Sequence, residues 1–429
     1  MLVVAVAVLA SLVVVHIGPL DVTTAATVRP AAVPTDPHRQ AWAWEAPEGQ
    51  RVNEVVTAGA GVAVRVVDGV IAIDGTTGKE RWHYRRTGSR TSGLGVSPDG
   101  RFLLVSFYSS VEDVEGVRVI SLDAMTGEEA GFDEVTEGGV FRGIRMEMTN
   151  RVLLGGNPDE GLFRGYDLRS GERLWEYRKP QTCRFGDVAG KPMVGRDVVL
   201  FGLVCGPKEP RSENVTVTVT LLALDDRTGA ERWSIERQVP ALAQKGSGPD
   251  GDFWTSPGWN IDQFLELASD GSAVSFGWTD SETGAEDRFL ADAATGDVLL
   301  DATALPTGEI VEFTKEWLVT GKGSVSDAYT ITTIVTGSSR AVGEISVRGP
   351  SERWFTGELV VGFGQWFSTE NACRNMVSIA PWDGAPPRRA NIHFGRHDAD
   401  QYCEYPELEL APGAIVAWHS DTNRIVGIA

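Results

Sequence analysis

One unit recurs along this chain and leaves few folds open to it: an apolar strand ends in Asp, a tight turn closes on Gly, and a Trp follows eight positions after the Asp. It reads from Asp74 through Gly78 to Trp82, from Asp167 through Gly171 to Trp175, and from Asp225 through Gly229 to Trp233. Each part has a mechanical reason. The Asp carboxylate accepts hydrogen bonds from the turn's own N–H groups, Thr or Ser adds a weaker bond, and Gly takes the positive-φ position. The Trp is too large for the interior of one thin sheet. It is expected to pack on the neighbouring sheet and donate its indole N–H across that boundary.

Weaker copies continue the series. Asp123 to Gly127 leads to Phe132, and Asp292 to Gly296 leads to Leu299 and Leu300. Beyond them Thr333 stands before Thr336-Gly337, Ala380 before Asp383-Gly384, and His419 before Thr422-Asn423. These eight registers lie about 49 residues apart on average, which suits one four-stranded blade with its connections. The expected fold is all-β: an eight-bladed β-propeller of four-stranded antiparallel blades over residues 41–429, with seven blades as the alternative count. The strand Ala41-Trp42-Ala43-Trp44-Glu45 resembles the Trp-bearing strands yet has no turn before it. It is expected to complete the last blade and remove an exposed sheet edge, unless residues 424–428 supply that strand themselves.

At these residues the chain resembles the quinoprotein-type, or PQQ-like, β-propeller family, whose Asp-x-x-Thr-Gly followed by Trp is a tryptophan-docking motif. The resemblance runs from Trp42 and is strongest through Gly296. The family includes quinone-dependent dehydrogenases and noncatalytic relatives such as the outer-membrane assembly factor B, so it implies architecture and leaves cofactor and activity open. The dehydrogenases' adjacent-cysteine pair is absent, and no acidic residue matches their catalytic base by motif. No cofactor is therefore expected, and an enzymatic role is the lesser reading.

Placement follows from the N-terminus and the cysteines. Residues 1–18 are apolar except for His16, with no charge before Asp21. Residues 1–20 read as a single-pass anchor or a signal peptide, although a basic start is missing. Residues 21–40, with Pro30, Pro34 and Pro37, read as a flexible stalk, which puts the body on the extracytoplasmic side of the cell membrane, or free of it if the segment is cleaved. Four cysteines allow three connectivities; Cys183 with Cys205 and Cys373 with Cys403 are favoured because each pair lies within roughly one repeat. A formal net charge of −20 repels phosphate backbones and excludes nucleic acid as a partner of choice.

Functional residues are sparse outside the repeat. His393, His397, Asp398 and Asp400 are metal-ligand types close together, but the intervening Gly395 and the β context favour a solvated loop. The Gly-rich insertion near 240–260 carries Phe253, Trp254 and Trp259, rigid aromatics suited to contact a protein partner or to pack the insertion on its own propeller. The reading is a tethered, noncatalytic protein-binding or scaffolding propeller. A small-molecule or cell-wall carbohydrate ligand and an extracytoplasmic enzyme stand as alternatives.

Overall fold

The computed structural model describes residues 19–429 apart from 109–116, 137–146, 158–159, 186–191, 207–213, 245–257, 260, 281–285, 307–308, 322–328, 342–352, 356–358, 368–372, 382–387, 393–406 and 420–422. The described residues form an all-β propeller without helices. Their strands assemble into eight antiparallel sheets, spanning 54–86, 91–136, 152–178, 183–259, 261–300, 309–341, 353–392, and 407–428 joined by Gln40–Glu45. Within a typical sheet four strands run outward from the axis, each hydrogen-bonded to the next in sequence. The first illustrates why: Glu54–Ala58, Gly61–Val66, Gly69–Asp74 and Glu80–Arg86 alternate in short apolar runs broken by Gly-containing turns.

Apolar side chains between neighbouring sheets make the core. One cluster joins the eighth and first sheets through Trp42, Val64, Ile71, Val416 and Trp418. Others join the first to the second through Trp82 and Leu103, the third to the fourth through Phe163 and Phe201, and the fourth to the fifth through Val219 and Phe276. Stability is thus built sheet to sheet around an axis, as in other repeat bodies.

The ring closes by a long-range pairing. Gln40–Glu45 lies antiparallel to the last strand, Arg424–Ile428, with Trp42 opposite Gly427 and Trp44 opposite Ile425. Residues 424–428 are therefore the third strand of the eighth sheet and the N-terminal strand its outermost. This corrects one register. His419 and Asn423 lie between the second and third strands of that sheet, where they join Ala414–Trp418 to Arg424–Ile428. No inter-strand turn of the Asp type can form at the seam, because the two strands it would join come from opposite ends of the chain.

The expected stalk is also different. Leu20–Thr23 pairs with the outer edge of Glu80–Arg86, making the first sheet five-stranded. The tract that follows is tied to the body: Ala25 N donates to Thr126 O, Arg81 to Ala26 O over 2.8 Å, Gly413 N to Ala32 O, and His38 N to Ala429 O. Unpaired backbone on the first sheet's edge and at the turns supplies partners that a solvated linker would find only in water. Residues 20–39 therefore run down the outer edge of the first sheet and across one face to the seam.

Candidate functional face

Two faces result from the strand order. One carries the turns between first and second strands and the Asp turns between third and fourth, and will be called the turn face. The Asp turns are alike. Asp74 Oδ1 accepts from Thr77 N and Thr77 Oγ1, both at 2.9 Å, while Gly78 N donates to Asp74 O at 2.8 Å. Asp123 accepts from Met125 N and Thr126 N, Asp167 from Arg169 N and Ser170 N, Asp225 from Thr228 N and Oγ1, and Asp292 from Ala294 N and Thr295 N. Gly78, Gly127, Gly171, Gly229 and Gly296 each hold φ between 65° and 77°. These carboxylates are occupied by their own turns, which is where a side chain destined for structure rather than chemistry would be.

Each docking Trp reaches the turn of the following sheet. Trp82, fully buried, donates its indole N–H to Ala124 O at 3.2 Å and lies over Gly127. Trp175 donates to Asp226 O at 2.5 Å and lies over Gly229, and Trp233 lies over Gly296. The same contact at the seam belongs to Trp42, which donates to Gly75 O at 2.7 Å and covers Gly78. Sequence reasoning grouped Trp42 with Trp44 and did not separate them; the signal was the small residue across the strand. Trp42 faces Gly427, Trp82 faces Ala72, Trp175 faces Gly165 and Trp233 faces Ala223. At Gly427 and Gly165 any Cβ would enter the indole ring. The fifth sheet has Leu300 at the Trp position, and Gly337 in the next turn has no atom near its open side.

The axial mouth on the turn face holds a cavity of about 720 Å³. Its walls come from the first, second, fourth, fifth and eighth sheets, with Val96, Met125, Val194, Leu267 and Pro412 as apolar surface and Ser97, Asp99 and Ser269 as polar surface. Asp99 is held by Ser97 Oγ at 2.7 Å and Arg101 N at 3.1 Å. Pro30 of the crossing tract stands at its rim.

Two carboxyls, Glu409 half-buried and Asp226 buried, lie between sheets. Glu409, on the innermost strand of the eighth sheet, accepts from Thr57 Oγ1 at 2.9 Å and Thr57 N at 3.2 Å. Burial pushes its pKa up to about 7; the Thr57 bonds oppose this, and Glu407 and Glu54 add to it. Asp226, 1% exposed, accepts from Thr149 Oγ1 at 2.7 Å, and its pKa is raised by burial despite that bond. Both tie a turn or strand of one sheet to the next.

The remaining expected site residues are distributed rather than gathered. Cys183 and Cys205 form a disulfide between directly opposed strand residues. The side chain of Cys373 and all of Cys403 lie outside the described residues, as do Phe253, Trp254, His393, His397, Asp398 and Asp400. Trp259 pairs through its backbone with Ala243 on the outermost edge of the fourth sheet. The end of the hairpin Asn214–Asp225 with Glu231–Gln244 that is distant from its Asp turn, where Asn214 pairs with Leu242, lies at the face opposite the cavity. Among the described residues no group of three or more His, Cys, Asp or Glu is arranged to hold a metal, and no helix is long and apolar enough to cross a membrane.

Against known proteins, residues 31–206 match the family described as outer membrane protein assembly factor BamB. Curated proteins give no match. Among solved structures, BamB from Moraxella catarrhalis is similar at 16% identity over 76% of this chain and 97% of its own, with a TM-score of 0.36. The β-propeller domain of the Trilobed protease from Pyrococcus furiosus is similar at 13% identity over 79% and 97%, with a TM-score of 0.41. The C-terminal WD40 domain of Sif2 is similar at 11% identity over 90% and 98%, with a TM-score of 0.43.

Proposed function

We propose, on the premise that residues 31–206 carry the PQQ-like repeat of the BamB-described family, that this chain is an extracytoplasmic, membrane-tethered scaffold: an eight-bladed ring that binds a protein partner on its turn face. The eight sheets among the described residues support the blade count. The single observation that carries the binding reading is the axial mouth. It combines apolar surface from several blades with polar groups already bonded within their own turns, a lining that suits the side chains of an inserted protein segment. The uncharged run before Asp21 supports the tether.

The test is to place a photo-crosslinking residue at Met125 in the full chain, expressed in its own host. A discrete protein adduct that disappears when Leu267 is changed to Asp, with the far-ultraviolet spectrum unchanged, is the expected result. Pyrroloquinoline quinone bound by the purified protein, with electrons passed to an acceptor dye, would instead establish an enzyme.

A further inference from the structure

The first sheet fixes where the chain leaves the body. Leu20 pairs with Arg86 and Thr87 N donates to Pro19 O, so the segment before residue 19 departs from the outer corner of the first sheet, beside residues 87–90. That corner lies on the face opposite the turns, because Glu80 begins its strand next to the Asp turn and Arg86 ends it.

Apolar side chains are exposed at this corner and on the strand that leads from it. Leu20 and Val22 are 49% and 38% exposed on the added strand, and Tyr108, whose N donates to Arg90 O, is 59% exposed nearby. Exposed aliphatic and aromatic groups beside an Arg are the residues that settle at a membrane interface. The chain outside the described body supplies the second argument. The apolar run ends at Gly18, directly before Pro19, so a bilayer span built from it meets the first sheet with no polar spacer between. The tract that would have served as a stalk comes after the strand and is bonded to the body.

We infer that the outer corner of the first sheet, at Thr87 and Tyr108, rests directly on the lipid bilayer and holds the turn face with its cavity on the far side. This rests on the tether reading above and adds to it a contact surface and an orientation. The strand Glu80–Arg86 separates the two faces by seven residues, roughly 20 Å. A probe on an Asp turn is therefore out of reach of lipid when the corner touches it.

The experiment uses the full chain reconstituted in phosphatidylcholine vesicles, with p-benzoylphenylalanine replacing Thr87 in one preparation and Val335 in another. Val335 sits on the Asp-type turn of the sixth sheet and is 83% exposed, and the Thr87 side chain is exposed too, so neither replacement disturbs a packed site. After flotation and irradiation, a phospholipid adduct at position 87 and none above background at position 335 is expected. Protein that floats but gives equal adducts at both positions, or an adduct at 335 alone, overturns the orientation while leaving the tether intact. Protein that does not float with the vesicles overturns the tether and the inference together.

Discussion

Replacing Gly127 by Ala tests the docking unit with an internal control. Gly127 has φ 77°, and a Cβ built there would stand 2.6 Å from Trp82 Cδ2 and 2.8 Å from Cε3. Two costs follow. Left-handed backbone costs an L side chain about 1–2 kcal/mol. Overlap with a ring that is completely buried and cannot retreat adds about 1–3 kcal/mol. Gly337 occupies the same turn position with φ 62° and meets nothing within 4 Å, so Gly337→Ala carries the first cost alone. The expected difference between the two variants is thus about 1–3 kcal/mol. Trp82→Ala costs about 3–5 kcal/mol by itself but removes the overlap, so adding Gly127→Ala to it costs only about 1–2 kcal/mol more. Urea unfolding of the wild type and the four variants, followed by far-ultraviolet circular dichroism to avoid the lost Trp signal, measures both the Gly comparison and the cycle. Equal losses for the two Gly variants, or additivity of Gly127→Ala and Trp82→Ala within about 0.5 kcal/mol, would refute the contact as the reason for the glycine.

Three further outcomes are expected. Reducing or replacing the Cys183–Cys205 bridge, which joins residues 22 apart in sequence, should lower the unfolding free energy by about 3 kcal/mol, read as a shifted denaturation midpoint with and without reductant. Glu409 is raised in the folded state, so its neutral form is the one the fold prefers; the stability it contributes is full below the ordinary Glu range and is lost as pH rises through about 7, by at most about 3 kcal/mol. Glu409→Gln should flatten that decline, and a Tm profile from pH 4 to 8 unchanged by the substitution would exclude the residue as its source. His83 lies 2.6 Å from Glu80 and 3.1 Å from Asp21; burial acts to lower its pKa, but the two carboxylates prevail and raise it. Its hold on Leu20–Thr23 is present below the ordinary His range and lost above the raised value, so amide exchange of Asp21–Thr23, corrected for intrinsic rate, should accelerate on that rise and become insensitive in His83→Gln.

What could be read from the sequence alone was local. Asp74, Thr77 and Gly78 satisfy one another within five residues, so their spacing announces the turn whatever surrounds it. The Trp eight positions later announces a neighbour to dock on, and its repetition announces a ring of similar units. The four strands of the first blade were likewise visible as apolar alternation broken by Gly. By itself the sequence therefore determined the repeat and the all-β class, and favoured the pairing of Cys183 with Cys205 without choosing it.

Only the tertiary structure decided how the ends meet. Trp42 and Trp44 are equivalent in the sequence, and the choice between them is made by Gly427, hundreds of residues away, which leaves room for one indole across the strand. His419 and Asn423 imitate an Asp turn, but the strand that should follow comes from the other end of the chain, so that position became an ordinary connection. Residues 21–40 read as a solvated stalk because they carry prolines and few large apolar groups. They are held instead by backbone groups of Thr126, Gly413 and Ala429 and by the edge of the first sheet, partners that exist only once the ring has formed. Hydrogen bonds between near neighbours leave a pattern in the sequence; those between surfaces assembled by folding do not.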